Sequence, residues 1–148
     1  MKMKTSLILI FLSVISLSFS QDLFVSENND GKWGFVNLDG EVVIKHQYEK
    51  ADCFYMGYAS VVLMGKMGLI DLKGNIIIPF EYDNDLMYFE DGLAVVKKRD
   101  KYGYANLDGE IVIPILYDEA KDCSNGKCEV RKDERWMILD KYGQEIIK

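Results

Sequence analysis

Gly31-Lys32-Trp33-Gly34-Phe35-Val36-Asn37 is the stretch that decides the fold, because the chain repeats it. Lys66-Met67-Gly68-Leu69, Lys101-Tyr102-Gly103-Tyr104 and Arg135-Trp136-Met137-Ile138 follow at spacings of 34, 35 and 34 residues. Self-similarity at a fixed period of this size is the mark of a repeat architecture. A second landmark keeps step: Gly40, Gly74, Gly109 and Gly143 each stand seven residues after Trp33, Met67, Tyr102 and Trp136. Glycine supplies the positive φ that a tight hairpin turn needs, and the flanking runs are rich in β-branched and aromatic residues.

Short apolar runs follow each turn: Val42-Val43-Ile44, Ile76-Ile77-Ile78, Ile111-Val112-Ile113 and Ile146-Ile147. Pro79 and Pro114 come next in two copies, and because proline cannot donate to a ladder the strands are expected to end there. Tyr48-Glu49, Tyr82-Asp83 and Tyr117-Asp118 then open polar linkers that close on Gly57, Gly92 and Gly126. The pattern predicts an all-β chain of four antiparallel three-strand meanders over 23–44, 58–78, 93–113 and 128–147. Within the Trp-Gly strand, Trp33 and Phe35 share one face and Gly34 and Val36 the other, so both faces are apolar. A neighbouring unit is expected to cover each face, giving an open, solenoid-like stack in preference to a closed propeller or barrel. Met137, standing where the other copies have glycine, fits an end unit without a further neighbour.

Residues 1–20 read separately. Lys2 and Lys4 precede an apolar run from Leu7 to Phe19 that closes on Ser18-Phe19-Ser20, which is the pattern of a signal peptide cleaved before Gln21. The mature chain, 21–148, is then expected in the periplasm, on the cell surface or outside the cell, with no transmembrane segment. Without the leader, 16 basic side chains face 24 acidic ones, a net charge of −8. Such a surface repels a phosphate backbone, so nucleic acid is not an expected partner.

Taken together, Gly31 to Asn37 with Gly40, Ile77-Ile78-Pro79-Phe80-Glu81-Tyr82-Asp83, and Phe89-Glu90-Asp91-Gly92-Leu93-Ala94-Val95-Val96 resemble the bacterial WG repeat, also called the KWG repeat. The likeness covers nearly all of the mature chain, although Lys45-His46 replaces the proline region of the first copy. It implies a β-rich exported or surface protein that mediates interactions, and it brings no catalytic motif.

Few residues point to chemistry. His46 is the sole histidine, so any nucleophilic triad or zinc site has to be built on it, and the cysteines have no other partner of ligand type. Neither a metal site nor a cofactor is expected. Asn28-Asn29-Asp30-Gly31 looks like part of a calcium loop but lacks the distal glutamate, and reads as a polar turn. Glu49, Asp83 and Asp118 either line a sugar groove or cap turn N–H groups, and capping is the favoured reading. Cys123 and Cys128 replace residues that look buried in the other copies; a disulfide closing that turn and two buried free thiols both fit. The odd cysteine count leaves one thiol over in a monomer. Tyr55, Tyr58 and Tyr88 fall in linkers or at turn edges, away from the landmarks, and are the tentative partner-binding residues.

The leading expectation is a non-enzymatic binding module whose ligand is a protein or glycan of the cell envelope. The alternatives are a carbohydrate-acting hydrolase using a carboxylate pair, which needs two acids facing across a cleft, and a purely structural envelope component with an exposed apolar patch or open sheet edge.

Overall fold

The computed structural model describes residues 22–83 and 89–146. The leader and its cleavage position lie outside that range, as do Tyr88 and Ile147. Fourteen strands and no helix occur among the described residues. Sheet one holds β1 (Phe24–Glu27), β2 (Trp33–Val36) and β3 (Val42–Tyr48). Sheet two holds β4 (Lys50–Ala51), β5 (Tyr58–Leu63), β6 (Lys66–Asp71) and β7 (Ile76–Tyr82). Sheet three holds β8 (Phe89–Glu90), β9 (Leu93–Lys98), β10 (Lys101–Asn106) and β11 (Ile111–Tyr117). Sheet four holds β12 (Glu119–Ala120), β13 (Lys127–Lys132) and β14 (Arg135–Asp140). All pairings are antiparallel between chain neighbours, and the sheets close no barrel.

The units differ from the sequence expectation in three respects. First, the strands run through the prolines. In β7 the register steps from Met67↔Tyr82 to Leu69↔Ile78, so residues 79–81 bulge opposite the single residue Gly68. Sheet three repeats this with Tyr102↔Tyr117 and Tyr104↔Ile113, and sheet one with Trp33↔Tyr48 and Phe35↔Ile44. Pro79 and Pro114 are the first bulged residues, where no ladder hydrogen bond is asked of them. The third strands therefore end at Tyr48, Tyr82 and Tyr117, four residues beyond 44, 78 and 113. Second, the linkers are not bare connections: β4, β8 and β12 pair onto the following unit's first long strand. Third, unit four does not complete its meander within the described residues. After the turn at Gly143 it makes one bridge, Leu139 to Glu145, and Ile146 N donates to Ile138 O at 2.7 Å.

The bulges explain the recurring glycine. A Cβ on Gly34 would lie 2.6 Å from Ile44 O, and one on Gly103 would lie 2.6 Å from Ile113 O. Those are backbone atoms that cannot swing away. The crowding comes from the unit's own third strand, not from a neighbouring unit. Met137 is tolerated at the equivalent place because no bulged strand lies beside β14 among the described residues.

Turn chemistry is equally regular. Asn37 Oδ1 accepts from Asp39 N at 3.1 Å and Glu41 N at 2.9 Å, while Gly40 takes φ +79°. Asp71, Asn106 and Asp140 do the same ahead of Gly74, Gly109 and Gly143. Asn28 Oδ1 likewise accepts from Asp30 N and Lys32 N, so the calcium-like stretch is the polar turn between β1 and β2.

Three apolar clusters form the core, and each joins the front of one sheet to the back of the next. Phe35, Ile44 and Tyr48 meet Ala59, Val61 and Ile70. Met67, Leu69, Ile78 and Tyr82 meet Ala94, Val96 and Ala105. Tyr104, Ile113 and Tyr117 meet Cys128, Val130 and Leu139. A lone three- or four-stranded sheet is marginal in water, so stability here resides between units, at roughly 1.5–3 kcal/mol for each large apolar side chain fully buried.

Candidate functional site

The repeated tyrosine–acid pairs resolve into structure. Tyr48, Tyr82 and Tyr117 are buried in the core. The acids beside them are turn caps: Glu49 Oε2 accepts from Gly65 N at 2.9 Å, Asp83 Oδ2 from Arg99 N at 2.8 Å, and Asp118 Oδ2 from Asp133 N at 2.9 Å. Each capped turn belongs to the next unit and demands help, since Arg99, Asp100, Asp133 and Glu134 all hold positive φ. The other oxygen of Asp83 pairs with Lys66, and that of Asp118 with Lys101. Lysine donation first, then the turn N–H, holds both carboxyls below the usual aspartate range. One carboxylate thus ties the lysine of its own unit to the turn of the next. Asp83 and Asp118 thereby have both carboxylate oxygens engaged by the fold.

His46 is also accounted for. Its Nε2 shares a 2.7 Å hydrogen bond with Ser26 Oγ across β2, on the back of sheet one. Val61 and Phe80 occupy the corresponding places in sheet two, where sheet one covers them.

Cys123 and Cys128 are joined by a disulfide across the hairpin turn Ser124 to Lys127, with Cα atoms 4.2 Å apart. Both are buried, in the places that Phe54 and Ala59 take in unit two. Cys53 is a free, exposed thiol.

Of the candidate binding residues, Tyr55 and Tyr58 fall at the turn hairpin that opens unit two. Tyr55 and Tyr58 face each other across a two-residue turn, Tyr55 N donating to Tyr58 O at 2.8 Å and Tyr58 N to Tyr55 O at 3.0 Å. Tyr55 is 66% exposed. Tyr58 stands at its turn edge as the first residue of β5, but it is half-buried where exposure was expected, its ring 6.2 Å from that of Phe89. Around them opens a cleft of about 520 Å³ whose aromatic lining is Phe54, Tyr55, Tyr58 and Phe89. Asp52, Glu90 and Asp122 add carboxylates from three successive linkers, and Cys53 borders the same space. The sequence singled out the two tyrosines that line this cleft, as candidates, and did not single out the three acids. They stand at unlike places in their linkers, so no periodic signal marks them.

A second cleft, about 500 Å³, lies on the front of sheet four around Trp136, with Arg135, Ile138, Glu145 and Ile146. Trp136 is 46% exposed and already carries Lys121 Nζ 5.0 Å from its ring centre. Arg135 is held by Glu145 at 2.5 Å. Among the described residues, no group of three or more His, Cys, Asp or Glu side chains is placed to hold a metal ion.

Small antiparallel sheets stacked in chain order, each with a strand that a lysine or arginine leads into and a glycine turn follows, define a tandem β-repeat protein. The chain belongs to the WG repeat family: the family model described as WG containing repeat matches residues 33–66, 67–102 and 102–136. Comparison with curated proteins gives no match.

Proposed function

We propose that the protein is an exported, non-enzymatic binding module that takes a protein or glycan of the cell envelope in the cleft between the hairpins of units two and three. The observation that carries this reading is the convergence of four aromatic rings and three carboxylates from separate linkers on one open cavity. Asp83 and Asp118 are consumed by capping and ion pairs, whereas Glu90 and Asp122 line open space, as does Asp52 while its Oδ1 accepts from Cys53 N at 2.8 Å. Aromatic residues on a rigid scaffold make the usual anchors of a binding surface. Export rests on the leader-like first 20 residues and sits well with the Cys123–Cys128 disulfide, a bond that persists in oxidising compartments.

Capture from envelope and culture-supernatant fractions by the mature chain starting at Gln21 tests it. A partner retained by the wild type and lost with Tyr55→Ala supports the cleft, and a partner retained equally by both removes it. The hydrolase is the second reading, favoured by the single observation that Asp52, Glu90 and Asp122 share the cleft. Polysaccharide turnover abolished by Glu90→Gln with binding intact would put it first.

A further inference from the structure

We infer that the cleft selects a lysine side chain of a partner protein, its ammonium group lying against the aromatic rings and facing the carboxylates. The inference rests on the binding-module reading and adds the sign and shape of what is bound. Three aromatic rings elsewhere already have a cation from the chain itself: Lys97 stands 5.5 Å from the Tyr102 ring centre, Lys121 5.0 Å from Trp136 and Lys141 5.1 Å from Tyr142. Among the described residues, no lysine or arginine lies over Phe54, Tyr55, Tyr58 or Phe89, and none lines the cleft. Aromatic faces attract cations through their quadrupole, most strongly where water is excluded. Asp52, Glu90 and Asp122 add formal negative charge to the same cavity, and the mature chain is acidic overall. An anionic ligand is therefore repelled, and a neutral one can donate hydrogen bonds to the acids but lacks the charge attraction that a cation gains from both the acids and the rings.

A protein source fits better than an amino sugar. The described lining has no Asn, Gln, His, Lys or Arg to donate to ring hydroxyls; the exposed or half-buried side-chain O–H groups in it are those of Tyr55 and Tyr58. Tyr55 at the cleft and its neighbour Met56, 66% and 77% exposed, instead give an apolar bed for the backbone on either side of a lysine.

The test titrates the mature chain with Nα-acetyl-lysine methylamide, its norleucine counterpart and glucosamine, following the alkylation rate of Cys53 and heats of binding. Cys53 is the one free thiol among the described residues and borders the cleft, so occupancy slows its reaction. The lysine compound is expected to bind at least about tenfold more tightly than the norleucine one. That preference should shrink in Asp122→Asn and at high salt, and binding should weaken in Tyr55→Phe less than in Tyr55→Ala. Near-UV circular dichroism and the melting midpoint of each variant separate lost binding from lost folding. Equal binding of the norleucine compound overturns the charge selection and leaves the cleft as an apolar binding site. Tighter binding of glucosamine than of lysine overturns the protein source. Binding of none of the three overturns the inference, and if partner capture also survives Tyr55→Ala, the cleft is removed as the binding site while the binding module stands.

Discussion

The inner faces of the array and its two outer faces have the same backbone and opposite chemistry. Position by position along the repeat, Val61, Val96 and Val130 fill the back of sheets two, three and four opposite Gly68, Gly103 and Met137, and all three are fully buried. Ser26 takes that place on sheet one, hydrogen-bonded to His46, which replaces the half-buried Phe80 and Ile115 of the inner sheets. At the other end, Glu129 stands opposite Ile138 where Val95 stands opposite Tyr104, and Lys121 bonds Glu129 at 2.6 Å while covering Trp136. The repeat thus builds one kind of interface three times and then dresses each free half of it with polar groups. Unpolarised, those two halves are complementary, and head-to-tail pairing of copies would propagate into a fibre. The polar substitutions oppose this because a partner would have to strip water from them.

This contrast gives graded predictions. Leu69 and Ile138 occupy the same front position, one buried in the second interface and one on the outer face. Leu69→Ala is expected to cost about 3 kcal/mol in urea unfolding, and Ile138→Ala about 1 kcal/mol or less, since only the first opens an internal cavity. Equal costs would show that the outer face is as well packed as the inner ones. Gly103→Ala should cost about 2–3 kcal/mol through backbone crowding against Ile113 and Ile115, whereas Met137→Gly should change the same midpoint little. If Gly103→Ala is silent, the bulge is not what demands glycine.

A third expectation uses pH. Burial first, and the adjacent Glu81 carboxylate second, push the Tyr82 hydroxyl up to about 12. The folded chain therefore keeps that proton where the unfolded chain, near 10, has lost it. The contribution is intact below about pH 10 and disappears as pH rises through about 12. Tyr82→Phe should flatten the loss of stability over that window, and an unchanged slope would place the alkaline sensitivity elsewhere. The smallest effect on stability, though visible in assembly, is expected from the ends: Ser26→Val with His46→Phe and Glu129→Ser should produce concentration-dependent oligomers by analytical ultracentrifugation. A monomer at all concentrations would mean that polarity at the ends is not what keeps copies apart.

Much of this was legible in the chain. The period of Trp33, Met67, Tyr102 and Trp136 and the turn glycines gave the units, because both depend on local rules: alternation along a strand and positive φ at a turn. The capping role of Glu49, Asp83 and Asp118 was readable for the same reason. Pro79 misled, because the rule that proline ends a ladder is true of the paired register and silent about bulges. Tyr58 was placed at its turn edge, but its half-burial was not legible, because Phe89, whose ring lies 6.2 Å from its own, comes from the next unit. The cleft acids were beyond reach, since Asp52, Glu90 and Asp122 converge only after three units have stacked.

By itself, then, the sequence determined the all-β repeat, its phase, its turns and its acidic surface, all properties carried by residues within one period of each other. The tertiary structure alone decided which face of each sheet became core, why glycine stands opposite the bulge, and which aromatic rings and carboxylates share a cavity. Those depend on distances between units, and a periodic chain specifies such distances only when one sheet is laid upon the next.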